Sequence, residues 1–287
     1  MIPGEPSRTA WSAAMHRAAH QAVDRLSVFD DPVAIPITGW TRSQVQADVA
    51  DHPERAGMRF FIACRHRFGR DVIAEVGRAG PVQVVVLGAG LDTTAYQPNP
   101  DASIAAVFEV DHPATGSWKQ DRLAEAGIRA TVEVTYVGVD FEHDELGESL
   151  AAAALDPAAP VVVLWLGVLI YLTRPAIEAT LESLRQLPVT DVHVVFDYAA
   201  PTTGDDPVAR MRTERATAVA ALGEPWQSYF NPQQAAQVLH QHGFDPVEDL
   251  DLPDWGARYL RRSAASFAGR RGAHLVHARR NEPATAP

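Results

Sequence analysis

The middle of the chain alternates short runs that are apolar at every position with longer stretches whose apolar residues fall three or four apart. Residues 82–87 read VQVVVL, β-branched and apolar on both faces, as a central strand covered by helices on each side must be. Comparable runs at 104–110 (IAAVFEV), 135–139 (TYVGV), 161–166 (VVVLWL) and 192–196 (VHVVF) predict further strands. Between them, residues 114–126 read as a helix stopped at Gly127. Residues 174–187 read as an amphipathic helix entered through Pro175, a residue suited to a first helical turn. Strand and helix in this rhythm predict an α/β fold with a parallel sheet.

The flanks differ. Residues 7–76 predict helices punctuated by Asp31-Pro32, Ile35-Pro36 and His52-Pro53. After Asp197 the rhythm breaks, and residues 199–230 hold prolines and no strand-like run, which predicts an insertion or lid. A helix at 233–242 follows, opened by Asn231-Pro232 and ended by Gly243, and then two strand-like runs, 246–250 and 273–279. The expected organisation is one domain over 1–287. It comprises an N-terminal helical cap (1–78), an α/β core (79–198), a lid insertion with its helix (199–243) and C-terminal strands (244–287).

Composition narrows the function. Apolar residues make up 46% of the 287, enough for a substantial core. The formal charge of −11 repels phosphate backbones and anionic lipid, so neither nucleic acid nor membrane is an expected partner. The longest apolar run, 161–172, is far short of the ~20 residues a span needs, and residues 1–23 assemble no signal-type apolar stretch. A cytoplasmic location is expected. Cys64 is the single cysteine, which allows no internal disulfide, and it reads as a small buried residue. The histidine pairs 240/242 and 274/277 are spaced so that neither gathers metal ligands on one face. The run Arg258–Arg262 reads as a solvated face with some capacity for an anion.

Candidate chemistry clusters at the strand ends. In VVVLGAGLDTTAY (residues 84–96) a buried strand runs into Gly88-Ala89-Gly90. There the backbone can turn tightly and approach a ligand, and a helix after the turn would aim its N–H groups at that ligand. Asp111 closes the second strand 23 residues beyond Gly88, where nucleotide-binding α/β folds place an acid on ribose hydroxyls. Glu109, two residues earlier, is the rival. Asp140 and Phe141 end the third strand, an Asp for an adenine amino group beside a ring that can pack near it. A dinucleotide fingerprint needs glycine at 93, where this chain has Thr93, which counts against a nicotinamide-dependent oxidoreductase.

Taken in order, VVVLGAGLDTTAY, VFEVDHP, VGVDFE and WLGVLIYLT resemble the leucine carboxyl methyltransferase family, bacterial branch. The stretches RTAWSAAMHRAAH, VFDDPVA and FFIACRHRFG extend the likeness over residues 7–197. The resemblance implies a Rossmann-like class I methyltransferase of seven mostly parallel strands with a helical cap, and S-adenosyl-L-methionine as cofactor. It implies that Arg65 pairs with the methionine carboxylate, a planar bidentate task that suits arginine. Gly88, Ala89 and Gly90 would lie against the methionine portion, Asp111 on the ribose, and Asp140 with Phe141 on the adenine. One departure stands out, since the family pattern expects Glu where this chain has Leu166. Thr94 and Gln97 also replace arginines common in bacterial relatives.

An O-methyltransferase acting on a small-molecule or peptide carboxylate is the expected activity, because a carboxylate arrives ionised and needs no base, whereas a phenol does. Tyr171 is the residue expected to orient the acceptor. A member that binds cofactor without transferring methyl is the alternative that Leu166 suggests.

Overall fold

The computed structural model describes residues 7–24, 28–97, 103–141, 144–201, 225–267 and 272–281, with 214, 216, 217 and 220. The seven expected strands form one sheet in the order β3-β2-β1-β4-β5-β7-β6. The chain divides into two compact units, residues 1–140 and 141–287.

In the first unit, α1 (Arg8–Val23) starts where Ser7 Oγ accepts the Ala10 N–H at 3.3 Å, satisfying one of the helix's orphan donors. Its alanines at 14, 18, 19 and 22 are buried, and side chains this short let α2 (Arg42–Asp51) pack Val45 against them. Asp24, just past α1, accepts bonds from Arg59 on α3 (Ala56–Val76) at 2.8 and 3.0 Å. Strands β1 (Val82–Leu87), β2 (Ile104–Asp111) and β3 (Glu133–Gly138) then pair in parallel. β1 is buried throughout, as its unbroken apolar run requires. α4 (Pro113–Glu125) crosses from β2 to β3 and begins one residue before the sequence suggested, at the proline itself.

The second unit holds α5 (Leu146–Ala152), β4 (Val161–Trp165), α6 (Arg174–Arg185), β5 (Val192–Ala199) and α7 (Pro232–Gln241). It ends with β6 (Phe244–Leu250), α8 (Leu252–Leu260) and β7 (Ala273–Arg280). β4 and β5 are parallel, while β7 runs antiparallel to both β5 and β6. Residues 202–213 and 221–224, most of the expected lid, lie outside the described residues. Among the described residues no helix is long and apolar enough to cross a membrane.

β5 and β7 are stitched by a buried pair, His193 Nδ1 to His277 Nε2 at 2.8 Å. Burial pushes His277 down to about 4, with the His193 and Arg279 charges adding to the effect against Glu248 and Asp191. A histidine lowered this way stays neutral in the fold while the unfolded chain protonates near 6.5. Its contribution is therefore complete above pH 6.5 and lost as pH falls toward 4. That loss is worth about 3 kcal/mol at 1.36 kcal/mol per unit. Urea melts of wild type and His277→Gln between pH 7 and 4 should converge by this amount; parallel curves would refute it.

Candidate functional site

At the carboxyl end of β1, Gly88 and Gly90 adopt φ of +64° and +48°, a left-handed backbone that side chains resist. Between them Ala89 donates its N–H to the Val110 carbonyl at 3.1 Å, so the turn lies over the end of β2. A Cβ on Gly90 would sit 3.0 Å from the Ala10 side chain of α1.

Asp111 is bound directly to this turn. Its Oδ2 accepts the Gly90 N–H at 2.5 Å and its Oδ1 the His112 N–H at 2.7 Å. Burial pushes its pKa up, and the two N–H groups oppose that. A carboxylate has about four lone-pair directions, so each oxygen keeps capacity for one more donor. One residue from Asp140, the Val139 N–H bonds the Asp111 carbonyl at 2.9 Å. The glycine turn, Asp111 and Asp140 thus stand at the ends of three neighbouring strands. Asp140 is the last residue of the first unit and Phe141 the first of the second; both are half-buried.

Glu109, the rival acid, is committed elsewhere. It forms an ion pair with Lys119 of α4 at 2.7 Å, and both side chains are 1–2% exposed. Burial raises the Glu109 carboxyl, and the Lys119 charge pulls it back. Lys119 also lies over the Tyr96 ring, 5.3 Å from its centre.

Among the described residues, no α-helix follows Gly90 before β2. Residues 91–93 are irregular, and only a 3-10 turn, Thr94–Tyr96, follows. Asp92 Oδ1 takes the Thr94 N–H at 2.7 Å, the local side-chain bond by which Asp competes with helix formation. The segment is held instead by a buried network that sequence reasoning missed. Arg17 of α1 donates to the Leu91 carbonyl and to Thr93 Oγ1 at 3.4 Å, and stands 3.9 Å from Asp92. Thr93 Oγ1 donates to Asp31 at 2.6 Å. His66 of α3 stacks on Phe29 and lies 3.7 Å from Asp92. Burial and then the Arg17 charge hold His66 well below its usual pKa, so it is neutral. Thr93, read as a missing glycine, is a structural hub. The one available signal was polar: His16, Arg17 and His20 interrupt an alanine-rich helix and are all buried.

Arg65 precedes His66 on α3, is 8% exposed, and places its guanidinium 5.9 Å from the Phe61 ring centre. Cys64 is fully buried and burial pushes its thiol up to about 12, which leaves no thiolate for attack.

In the second unit the end of β4 repeats the turn device. Gly167, at φ +74°, donates its N–H to Asp197 at the end of β5 at 2.5 Å. Leu166, before it, is half-buried. Tyr171 is half-buried in the turn Leu169–Tyr171, and its carbonyl accepts the Gln227 amide at 2.6 Å. Arg258 is exposed but paired with Glu248 at 2.9 Å, and Arg261 and Arg262 are exposed beside it.

The sequence model of the leucine carboxyl methyltransferase family matches residues 10–185. A putative S-adenosyl-L-methionine-dependent methyltransferase of Mycobacterium marinum is 32% identical over 203 residues, 68% of this chain and 66% of that relative, just under two thirds of its length. In fold, the chain is similar to a DUF574 family protein from Streptomyces avermitilis, with TM-score 0.59, 18% identity, and 98% of this chain and 100% of that one covered. It is also similar to a putative methyltransferase from Thermobifida fusca, with TM-score 0.57, 16% identity, and 97% and 96% covered. The match of the family model over most of the chain, with a seven-stranded and mostly parallel sheet beneath it, makes this protein a member of the leucine carboxyl methyltransferase family, whose fold is the Rossmann-like class I methyltransferase fold and whose cofactor is S-adenosyl-L-methionine.

Proposed function

We propose that this chain is an O-methyltransferase that moves the S-adenosyl-L-methionine methyl group to an oxygen of a small molecule or peptide. The observation that carries the reading is Asp111, whose two oxygens are aimed by the Gly90 and His112 N–H groups beside the Gly88-Ala89-Gly90 turn. A carboxylate so oriented suits the two hydroxyls of a ribose. Gly88, Ala89 and Gly90 would bound the methionine portion, Arg65 would take its carboxylate, and Asp140 with Phe141 would flank the adenine. The bound cofactor supplies an already activated methyl carbon. The residues around it contribute alignment and the exclusion of water. Tyr171 would orient the acceptor.

For the acceptor, a carboxylate is the class that asks nothing of the protein but placement.

Asp111→Asn is the direct test. The amide keeps one acceptor and loses the charge, so calorimetry with S-adenosylhomocysteine should show binding weaker by about 1–3 kcal/mol. Unchanged affinity would remove Asp111 from the cofactor site and the main support with it.

A further inference from the structure

Thr93 ties three stretches of the first unit together: α1, the connection between α1 and α2, and the segment that leaves the glycine turn. Its hydroxyl donates to Asp31 Oδ2 at 2.6 Å and accepts from Arg17 Nη1 and Gln97 Nε2, each at 3.4 Å. One donor and two lone pairs are all that a hydroxyl has, so its whole bonding capacity is used. Thr93 is fully buried, and its partners Arg17, Asp31 and Gln97 are at most 3% exposed. Asp31 is itself held, since its Oδ1 takes the Val33 N–H at 3.1 Å.

This cluster bears on the glycine turn through the backbone. Gly90 stands at φ +48°, and glycine visits either sign of φ about equally well, so the residue does not hold that conformation by itself. Contacts on both sides hold it. Upstream, the Ala89 N–H is on the Val110 carbonyl at 3.1 Å; downstream, the Asp92 N–H closes back on the Ala89 carbonyl at 2.7 Å. The Arg17 guanidinium then takes the Leu91 carbonyl, and Thr93 is the group that keeps Arg17 there. Held in this way, the Gly90 N–H meets Asp111 Oδ2 at 2.5 Å. A line of contacts thus runs from Asp31 through Thr93, Arg17 and Leu91 to the N–H that aims Asp111. α1 also approaches the turn at Ala10, whose side chain lies 3.0 Å from where a Cβ on Gly90 would be.

We propose that Thr93 and Asp31 are positioning residues for the cofactor, which hold Arg17 on the turn and so couple the docking of α1 to occupancy of the glycine turn. The proposal rests on the reading of that turn and Asp111 as the cofactor site, and adds two residues that act on it through others. A valine at 93 keeps the shape and deletes the hydroxyl. Asp31 Oδ2, Arg17 Nη1 and Gln97 Nε2 then lose a partner inside the protein, where an unpaired polar group costs more than an ordinary hydrogen bond contributes. They shift toward other partners, and Arg17 no longer fixes the Leu91 carbonyl. The coupling runs both ways: if docked α1 favours the binding form of the turn, ligand in the turn favours docked α1 by the same factor.

The test compares wild type with Thr93→Val, Thr93→Ser, Asp31→Asn and Val45→Ala. Val45 is the control, a fully buried α2 residue packed on α1 and away from the turn. Calorimetry with S-adenosylhomocysteine is run on all five proteins well below their melting temperatures. Thr93→Val should bind about tenfold more weakly or worse, Asp31→Asn about threefold or more, and Thr93→Ser within about twofold of wild type, because serine restores the hydroxyl. Val45→Ala should lower the melting temperature, as a core truncation does, and leave affinity alone. Hydrogen exchange of α1 amides should slow when S-adenosylhomocysteine is added to wild type, and should respond much less in Thr93→Val. If Thr93→Val does not fold, Asp31→Asn against Val45→Ala decides the matter by the same comparison. A residue that serves stability alone would move melting temperature and leave affinity unchanged, which overturns the proposal. So does an affinity loss in Val45→Ala equal to that in Thr93→Val, a serine that fails to restore binding, or α1 exchange indifferent to ligand in wild type. Wild type that binds no S-adenosylhomocysteine would refute the cofactor reading itself, and this inference with it.

Discussion

Lys119→Met should cost this protein about 3–5 kcal/mol of stability, the range for breaking one side of a buried ion pair. The reason is what stays behind. Glu109 is 3% exposed and its carboxylate faces Lys119 at 2.7 Å. Without the ammonium it must remain as an unpaired buried charge or take up a proton, and burial already pushes it that way. The double variant Lys119→Met with Glu109→Gln should recover much of the loss, because it removes the orphaned charge along with its partner. Denaturant melts of wild type, both singles and the double complete the cycle. A single Lys119→Met as stable as wild type would show the pair to be dispensable.

Gly90→Val should damage folding and cofactor binding together. The left-handed backbone at φ +48° costs a residue with a side chain about 1–2 kcal/mol. The new Cβ lies 3.0 Å from that of Ala10, so α1 or the turn has to give. Either movement disturbs the Gly90 N–H that aims Asp111. We expect a melting temperature several degrees lower and S-adenosylhomocysteine binding at least tenfold weaker. Gly80 provides a control, since its φ is also positive at +156° but a Cβ there meets nothing within 4 Å. Gly80→Val should leave cofactor affinity alone. Equal affinity loss in both variants would mean that general strain, rather than the cofactor turn, is responsible.

What could be read from the chain follows from which interactions are local. β1 and β4 announced themselves because a strand buried on both faces is apolar at every position. The helix starts at Pro175 and Pro232 were visible because proline suits a first turn. By contrast, α8 was missed, since Pro253 and Gly256 inside DLPDWGARYL disguise a helix whose Asp251 cap accepts the Asp254 N–H. The failed helix after Gly90 has the opposite cause. Its residues look able to form one, but Asp92, Thr93 and Thr94 find other partners, some of them 62–76 positions away. Arg17 on Leu91 and Asp249 on His274 are likewise contacts that no spacing rule contains. At the candidate site, the glycines and Asp111 were legible because strand ends recur at regular intervals. The ion pair that removes Glu109 from contention was not, because Lys119 lies on the following helix.

The central claim is that the glycine turn and Asp111 hold S-adenosyl-L-methionine, and calorimetric titration of the purified protein with S-adenosylhomocysteine tests it most directly. The account predicts one saturable site per chain, with a melting temperature that rises with ligand as linkage requires, and no binding of NAD or ATP under the same conditions. Binding of NAD with none of S-adenosylhomocysteine would contradict it.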